Sequence, residues 1–531
     1  MQARRGTGGG TVLGTLAVGQ FLMTLDTSVM NVSIATVAED VGTTVSGIQA
    51  AITLYALVMA MFMITGGKIG TLIGRRRAFT VGCVIYGCGS LTTSLAPGLG
   101  VLILGWSLLE GLGAALIMPA IVALVAANFQ QAQRPRAYGL VASAGAIAVA
   151  VGPLVGGLVT TYFSWRWVFA GEVVIVIVIV LLARRVADAP PHRRPDFDLV
   201  GTVLSAAGLG LVVYAVLRSS SWGWVAPKPG APALLGVSAT LWLILAGMLV
   251  LQLFLACERR RVAHGLEPLV APAMLRDRQL RGGLTIFFFQ FLLQAGLFFI
   301  VPLFLSVSLG LTALQTGARL LPLSITLLLA AVGIPKVWPD ASPRRVVQWG
   351  LVALFGGLVA LLAALELGAG PEVTTVPMLL AGLGIGSLAS QLGSVTVSAV
   401  PDEQTGEVGG LQNTATNLGV SVGTALAGSV LIAALTTSFL QGISQNPSVP
   451  PQVTSQAEVE LVSGAPFLSD AALEQALAAT GLPPGAASAI VQENAAARLQ
   501  ALRAADAVLA LIAGISLFFT RLIPKEQPSR S

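Results

Sequence analysis

Four ionisable residues interrupt stretches of this chain that are otherwise apolar. Asp26 lies in Leu25-Asp26-Thr27-Ser28-Val29-Met30-Asn31, Glu110 in Trp106-Ser107-Leu108-Leu109-Glu110-Gly111, and Arg319 in Thr316-Gly317-Ala318-Arg319-Leu320-Leu321-Pro322. Glu172 follows Ser164-Trp165-Arg166-Trp167-Val168-Phe169 by one helical turn. A carboxylate in hydrocarbon is costly unless it faces a cavity or a partner, so such residues mark ion or proton paths. At 1.5 Å per residue Asp26 stands ~22 Å up its helix, and Glu110 lies ~15 Å deep, near the middle of the run. The charged form is unfavourable at that depth, which suits a group that takes and releases a proton. Competing readings are a structural hydrogen bond for Asp26, and for Glu110 a permanently protonated packing residue or a salt bridge to Arg319. Arg319, near a helix end, either snorkels to the membrane edge or serves as a counter-ion. Arg319 and Glu172 are thus candidate charge partners of the first two carboxylates, and Glu172 is expected close enough to the edge to be solvated or structural.

The elements that must hold these groups are membrane helices. Of 531 residues 55% are apolar and 10% charged, which excludes a set of soluble domains. A crossing of ~30 Å needs ~20 residues. Fourteen runs qualify: 12–36, 47–66, 78–96, 100–127, 138–162, 167–183, 199–217, 233–256, 282–308, 314–334, 346–365, 374–399, 409–436 and 501–520. Sixty glycines suit close approach between such helices.

The chain is written twice. Leu108-Leu109-Glu110-Gly111-Leu112-Gly113 recurs as Leu379-Leu380-Ala381-Gly382-Leu383-Gly384, and the same spacing of 271 carries Gly152 and Gly157 onto Gly423 and Gly428. A spacing of 268 carries Lys68, Arg76 and Arg77 onto Lys336, Arg344 and Arg345. Duplication in a hydrophobic chain points to a transporter whose substrate path runs between the halves. The copies differ where Glu110 meets Ala381 and Pro153 meets Thr424.

Of the thirty Lys and Arg residues, twenty-four fall in loops and ends on one side, five on the other, and Arg319 within a span. This bias places both termini in the cytoplasm of a multi-pass cell-membrane protein. It also explains the net charge of +6 by lipid head groups rather than nucleic acid. Cys83, Cys88 and Cys257 read as packing residues, since five positions along one helix is too far for a disulfide. His192 and His264 fall in loops, away from any intramembrane relay. The first run contains Asp26 and is followed by thirteen more, which excludes a cleaved signal peptide.

Between the second and third runs, Gly66-Gly67-Lys68-Ile69-Gly70-Thr71-Leu72-Ile73-Gly74-Arg75-Arg76-Arg77 resembles the Gly-x-x-x-Asp-Arg-x-Gly-Arg-Arg loop of the major facilitator superfamily. Gly67, Lys68, Gly74, Arg75 and Arg76 form this cytoplasmic loop motif, while the Asp and Arg positions hold Thr71 and Leu72. Arg75 and Arg76 remain able to bond helix C-terminal carbonyls, and a plain basic anchor is the alternative. Gly145 followed by Gly152-Pro153-Leu154-Val155-Gly156-Gly157 is similar to the superfamily's antiporter motif, associated with exporters. Proline permits a bend and the glycines close contact. Trp165-Arg166-Trp167-x-Phe169 resembles the start of span six in the fourteen-helix exporters, where the family often has Asn at the position of Glu172. The family pattern Arg-x-x-Gln-Gly is replaced in span four by Ser107 and Glu110.

The chain is therefore identified as similar to the fourteen-helix multidrug:proton antiporters. The resemblance implies an all-α integral membrane protein of the major facilitator fold: a six-helix bundle over 1–198, two inserted helices over 199–265, and a second six-helix bundle over 266–531. An exterior segment at 437–500 belongs to the second bundle, and from Ala486 to Phe519 no proline interrupts a helix of ~50 Å that must project beyond the bilayer. Asp26 and Glu110 are the expected proton carriers. Trp106, Gln290, Gln294, Asn413 and Asn417 are the expected cavity residues, the last four pairing at i, i+4 on shared faces. Adding 268 to Asp26 lands on Gln294. No Gly-x-x-x-x-Gly-Lys-Ser/Thr loop is present, so a proton gradient, with no cofactor or metal, is the expected energy source. The expected partners are an amphipathic or cationic small molecule, protons and lipids, around a monomer. Export of an endogenous lipid or metabolite is the alternative. A membrane enzyme would need a catalytic constellation, and no His-Glu-x-x-His occurs.

Overall fold

The computed structural model describes residues 9–526 except 130–133, 189–197, 229, 267, 339, 401–404, 462–465 and 479–481. His192 and most of the 190–198 linker lie outside the described residues. The first half comprises α1 (Gly9–Asp40), α2 (Val45–Ile73) and α3 (Arg75–Ser94). Then α4 (Leu99–Leu102) continues through a π-helical segment, Ile103–Glu110, into α5 (Gly111–Asn128), followed by α6 (Arg134–Tyr162) and α7 (Arg166–Ala183). Helices α8 (Leu199–Trp222) and α9 (Ala239–Ala263) stand between the halves in sequence, joined through a two-residue antiparallel pairing of Ala233–Leu234 with Val237–Ser238. The second half comprises α10 (Arg278–Leu303), with a π-helical end at Phe304–Ser308, α11 (Ala313–Val337), α12 (Pro343–Ala364), α13 (Thr375–Val397) and α14 (Thr405–Gln445). The short helices α15 (Pro451–Glu460) and α16 (Asp470–Ala478) precede α17 (Pro484–Phe519).

Local chemistry sets the ends of these elements. Asp198 caps α8 by accepting from the Gly201 N–H at 2.8 Å, and Asp277 caps α10 by accepting from Leu280 N–H at 2.7 Å. Thr312 and Gln315 form a reciprocal capping box at the start of α11; each satisfies a backbone donor that the helix itself cannot. Gly74, at φ +99°, makes the reversal from α2 to α3 that L-residues with a side chain rarely adopt.

Among the described residues twelve helices are long and apolar enough to cross a membrane, against fourteen expected. The two others, α3 and α6, are present at the expected positions. Helix α3 opens with three arginines and is rich in Gly, Ser, Thr and Cys, and only Val151–Tyr162 of α6 passes as a shorter apolar stretch.

The duplication reappears as packing. Gly82 on α3 lies so close to α5 that a methyl group on it would sit 2.9 Å from Gly113 O. At the repeat positions, a methyl group on Gly350 of α12 would sit 3.0 Å from Gly384 O on α13. Gly152 meets α1 at Ser28, and its repeat copy Gly423 meets α10 at Leu292. Glycine at these positions lets backbones approach where no apolar drive separates helix from lipid. The inserted pair packs chiefly on itself, and α8 also rests on α2 and α14, with Ser219 Oγ 3.0 Å from Ser429 Oγ.

Candidate functional site

The halves meet along two seams related by the repeat. In the first, α6 faces α11: a side chain on Gly157 would overlap the Ala313 backbone, and one on Gly317 would overlap the Pro153 backbone. Ser324 Oγ donates to Val149 O at 3.3 Å and Leu314 N–H to Thr161 Oγ1 at 3.1 Å. These contacts run from Val149 to Thr161, along the half of α6 remote from Arg134. In the second seam, Gly428 of α14 admits Gln49 of α2, whose Nε2 donates to Thr424 O at 3.2 Å and Ala425 O at 3.3 Å. Ser421 Oγ donates to Thr53 O at 2.9 Å. The antiporter motif is therefore divided: Pro153 and Gly157 face the opposing half, whereas Gly145, Gly152 and Gly156 meet Gln20, Ser28 and Val29 of α1.

Between the seams lies a cavity of about 180 Å³. From the first half it is lined by Met23, Thr27, Asn31, Tyr55 and Met59, among others, and from the second by Phe291, Gln294, Phe298, Asn413 and Asn417. No charged residue lines it among the described residues. Two of the five expected cavity residues are not in its wall. Gln290 is buried one turn from Gln294 with its Oε1 unpartnered, because the i, i+4 pair straddles the edge of the open face. Trp106 is fully buried behind Tyr55, their rings stacked at 5.1 Å and 6°.

Behind that stack the first half gathers three carboxyl groups. Asp26, Glu110 and Glu172 are all buried, with one oxygen of each within 4.8 Å of the others. Trp106 Nε1–H donates to both Asp26 oxygens, at 2.9 and 3.0 Å. Thr93 Oγ1 donates to Glu110 at 3.0 Å; Tyr86 Oη at 3.2 Å and Ser90 Oγ at 3.1 Å donate to Glu172. One oxygen of Glu110, one of Glu172 and the Tyr55 hydroxyl have no partner. The cluster forms because the chain is shaped for it: Gly89 on α3 leaves room for the Glu110 side chain, and Gly105 brings the π-helical segment against Thr93. A π segment offsets side chains from the regular helical face and recurs at functional sites.

Glu172 is thus not solvated: it is 1% exposed and faces α3. Arg319 is not its counter-ion, nor that of the other carboxyls. Arg319 is partly exposed, and the ion pairs among the described residues are Asp40 with Arg166, Asp198 with Arg261 and Asp470 with Arg498. No cation is paired with any of the three among the described residues.

The two arginines that close the loop motif, Arg75 and Arg76, bond within the first half. Arg75 donates to Ala123 O at 3.2 Å and Arg76 to Val186 O at 3.3 Å. Asp188 supplies the carboxylate that the loop lacks, accepting the Arg76 backbone N–H at 3.2 Å. Gly67 packs beside Pro119, and Lys68 is engaged as well. His264 is exposed at the end of α9. At the other end of the bundle Trp165 is buried and donates to Asp40 at 2.8 Å, while Trp167 is 64% exposed, so only the latter fits a lipid-edge belt. In the segment 437–500 the described residues form a small unit in which buried Arg498 bonds Asp470 at 2.6 Å and the Leu468 carbonyl.

Asp506 on α17 was not singled out from the sequence. It is fully buried with both oxygens unpartnered, on a helix that packs against α12 and α10 as α7 packs against α3 and α1. Its signal was a lone acid in an apolar run, the same one that exposed Asp26. Tyr55 and Tyr86 carried no signal, since an aromatic residue in such a run reads as packing.

A two-half helical bundle with a cavity between the halves defines a secondary transporter, and the chain belongs to the major facilitator superfamily, whose profile matches residues 16–424. It is 30% identical to the puromycin resistance protein pur8 of Streptomyces alboniger over 82% of this chain and 84% of that protein. It is 26% identical to the multidrug efflux pump LfrA of Mycolicibacterium smegmatis over 96% of each. Among solved structures, a bacterial homologue of the human lysosomal transporter Spinster, inward-facing and unoccupied, superimposes with a TM-score of 0.60 at 14% identity over 98% of each chain.

Proposed function

We propose that this chain is a drug:proton antiporter of the cell membrane, with both termini cytoplasmic, which exports amphipathic aromatic or cationic molecules by alternating access. The observation that carries the reading is the cluster of Asp26, Glu110 and Glu172, buried with no cation paired to it among the described residues and separated from the cavity by the Tyr55–Trp106 stack. Such a cluster has a use for protons and none for a bulky substrate. The cavity suits the other partner: methionine and aromatic side chains adapt to flat apolar bodies, the Tyr55 ring offers a cation–π face, and Gln294, Asn413 and Asn417 offer amides. Resistance and efflux in the names of the relatives support export rather than uptake. Rocking of one half on the other would open the α6–α11 and α2–α14 seams in turn with the opposite face, exchanging proton for substrate.

The test is transport by the purified protein in liposomes. With the gradient oriented for antiport, accumulation of ethidium or puromycin and its collapse by a protonophore are expected. Accumulation indifferent to the gradient, or driven by ATP alone, overturns the proposal.

A further inference from the structure

The cavity and the carboxyl cluster do not share a wall residue. No member of the cluster lines the cavity, yet antiport requires that occupancy of one be felt at the other. The connection visible in the structure is a chain of two rings. Tyr55 presents its side chain to the cavity and stacks on Trp106, which is 0% exposed. Trp106 in turn directs its one N–H to both oxygens of Asp26.

The backbones on either side of this stack are clamped. Ser107 Oγ donates to Ala51 O at 2.8 Å, one turn before Tyr55. Gly111 brings its helix so close to α2 that a methyl group would sit 3.0 Å from Val58 and 3.3 Å from Tyr55 O. Relative movement of α2 and the π-helical segment is thereby restrained, so the two rings keep the register in which they stack. A flat substrate lying on Tyr55 holds that ring in place, the stacked indole stays with it, and the forked bond to Asp26 is kept, whereas a proton on Asp26 weakens that bond and loosens the stack on which the substrate lies. That bond favours the ionised carboxylate, because an acceptor with two free oxygens is what a lone N–H can serve.

We infer that Tyr55 and Trp106 form the coupling element between drug and proton, Tyr55 acting as a positioning residue for Asp26 as well as a wall of the cavity. The inference rests on the antiport reading above and adds the route by which it works. The groups facing Asp26 are Trp106 and Glu110 from the π-helical segment, Tyr55 from α2, Tyr86 from α3 and Glu172 from α7.

Because coupling is reciprocal, it is read as the pH dependence of substrate affinity. Ethidium binding to the full-length protein in nanodiscs is measured from pH 5.5 to 8.5. In the parent protein Kd is expected to rise at least tenfold as pH falls. Trp106→Phe keeps a ring in the stack but loses the N–H, and Tyr55→Leu loses the stack; each is expected to flatten the profile to under threefold. Tyr55→Phe keeps the parent slope. Thr27→Ala, a cavity residue outside the stack, shifts Kd equally at every pH. Parent-like slopes in Trp106→Phe, or in folded Tyr55→Leu, overturn the relay. A parent Kd that is itself independent of pH overturns the antiport reading beneath it, which is a different result.

Discussion

Replacing Gly157 by leucine separates gating from stability. The Gly157 Cα lies against α11 so closely that even a methyl group would come within 2.8 Å of the Ala313 carbonyl carbon and of Leu314 Cα. Leucine adds four heavy atoms where one does not fit, so α6 and α11 must part at this end. Overpacking a tight contact costs ~1–3 kcal/mol. Because the contact joins the two halves, that cost falls on the conformation in which the seam is closed, and ~1–3 kcal/mol is a shift of about 5- to 150-fold toward the open seam. Gly156 is the control one residue away. It packs on Val29 of α1, whose Cα would be 3.0 Å from an added methyl. Both partners belong to the same half, so Gly156→Leu is expected to lower stability in all conformations and leave the balance alone. The assay places a cysteine at Ser324, 1% exposed in the seam, in a protein whose Cys83, Cys88 and Cys257 have been replaced. Labelling by a membrane-impermeant maleimide should accelerate at least fivefold in Gly157→Leu and stay within twofold in Gly156→Leu. Gly428→Leu, its repeat counterpart against Gln49, should open the α2–α14 seam in the same way. Equal labelling of the folded Gly156 and Gly157 variants would refute the assignment of the motif to the seam.

Three further expectations use other parts of the molecule. Asp188→Ala removes the carboxylate at the start of α3 and should cost ~1 kcal/mol, the size of a helix cap, read as a lowered melting temperature; an unchanged one contradicts the capping role. Arg498→Ala leaves Asp470 without its buried partner and the Leu468 carbonyl with the Asn494 amide alone, so proteolysis between residues 446 and 484 should quicken severalfold while transport persists; an unchanged digestion pattern would show that other contacts hold this unit. Asp506→Leu removes a buried acid with no partner and should raise stability by ~1–3 kcal/mol without loss of proton-driven transport. Loss of coupling in that variant would place Asp506 on the proton path.

Much of the architecture was legible because membrane helices announce themselves by length and apolarity, and because the repeat is written in glycines whose contacts recur in space, Gly82 with Gly113 and Gly350 with Gly384. Asp26 and Glu110 were legible for the same reason in reverse, as acids where acids are costly. What escaped was whatever depends on which way a helix is turned. Counting residues from Trp165 places Glu172 near the membrane edge, but the count cannot see that α3 brings Tyr86 and Ser90 over it. Gln290 and Gln294 share a face at i, i+4, yet the cavity takes only one of them. Arg319 offers a charge with no indication of distance. The loop without its Asp gave no hint that Asp188, more than a hundred residues on, would accept from Arg76.

The central claim is that protons are exchanged through the Asp26, Glu110 and Glu172 cluster rather than through the cavity itself. Glu110→Gln tests it most directly, since glutamine keeps the shape and the Thr93 bond but cannot release a proton. In liposomes loaded with ethidium, exchange of internal for external substrate requires no net proton movement, whereas accumulation against a gradient does. Glu110→Gln is expected to retain at least half of parental exchange and to lose at least nine-tenths of proton-driven accumulation. Retention of full accumulation by that variant would contradict it.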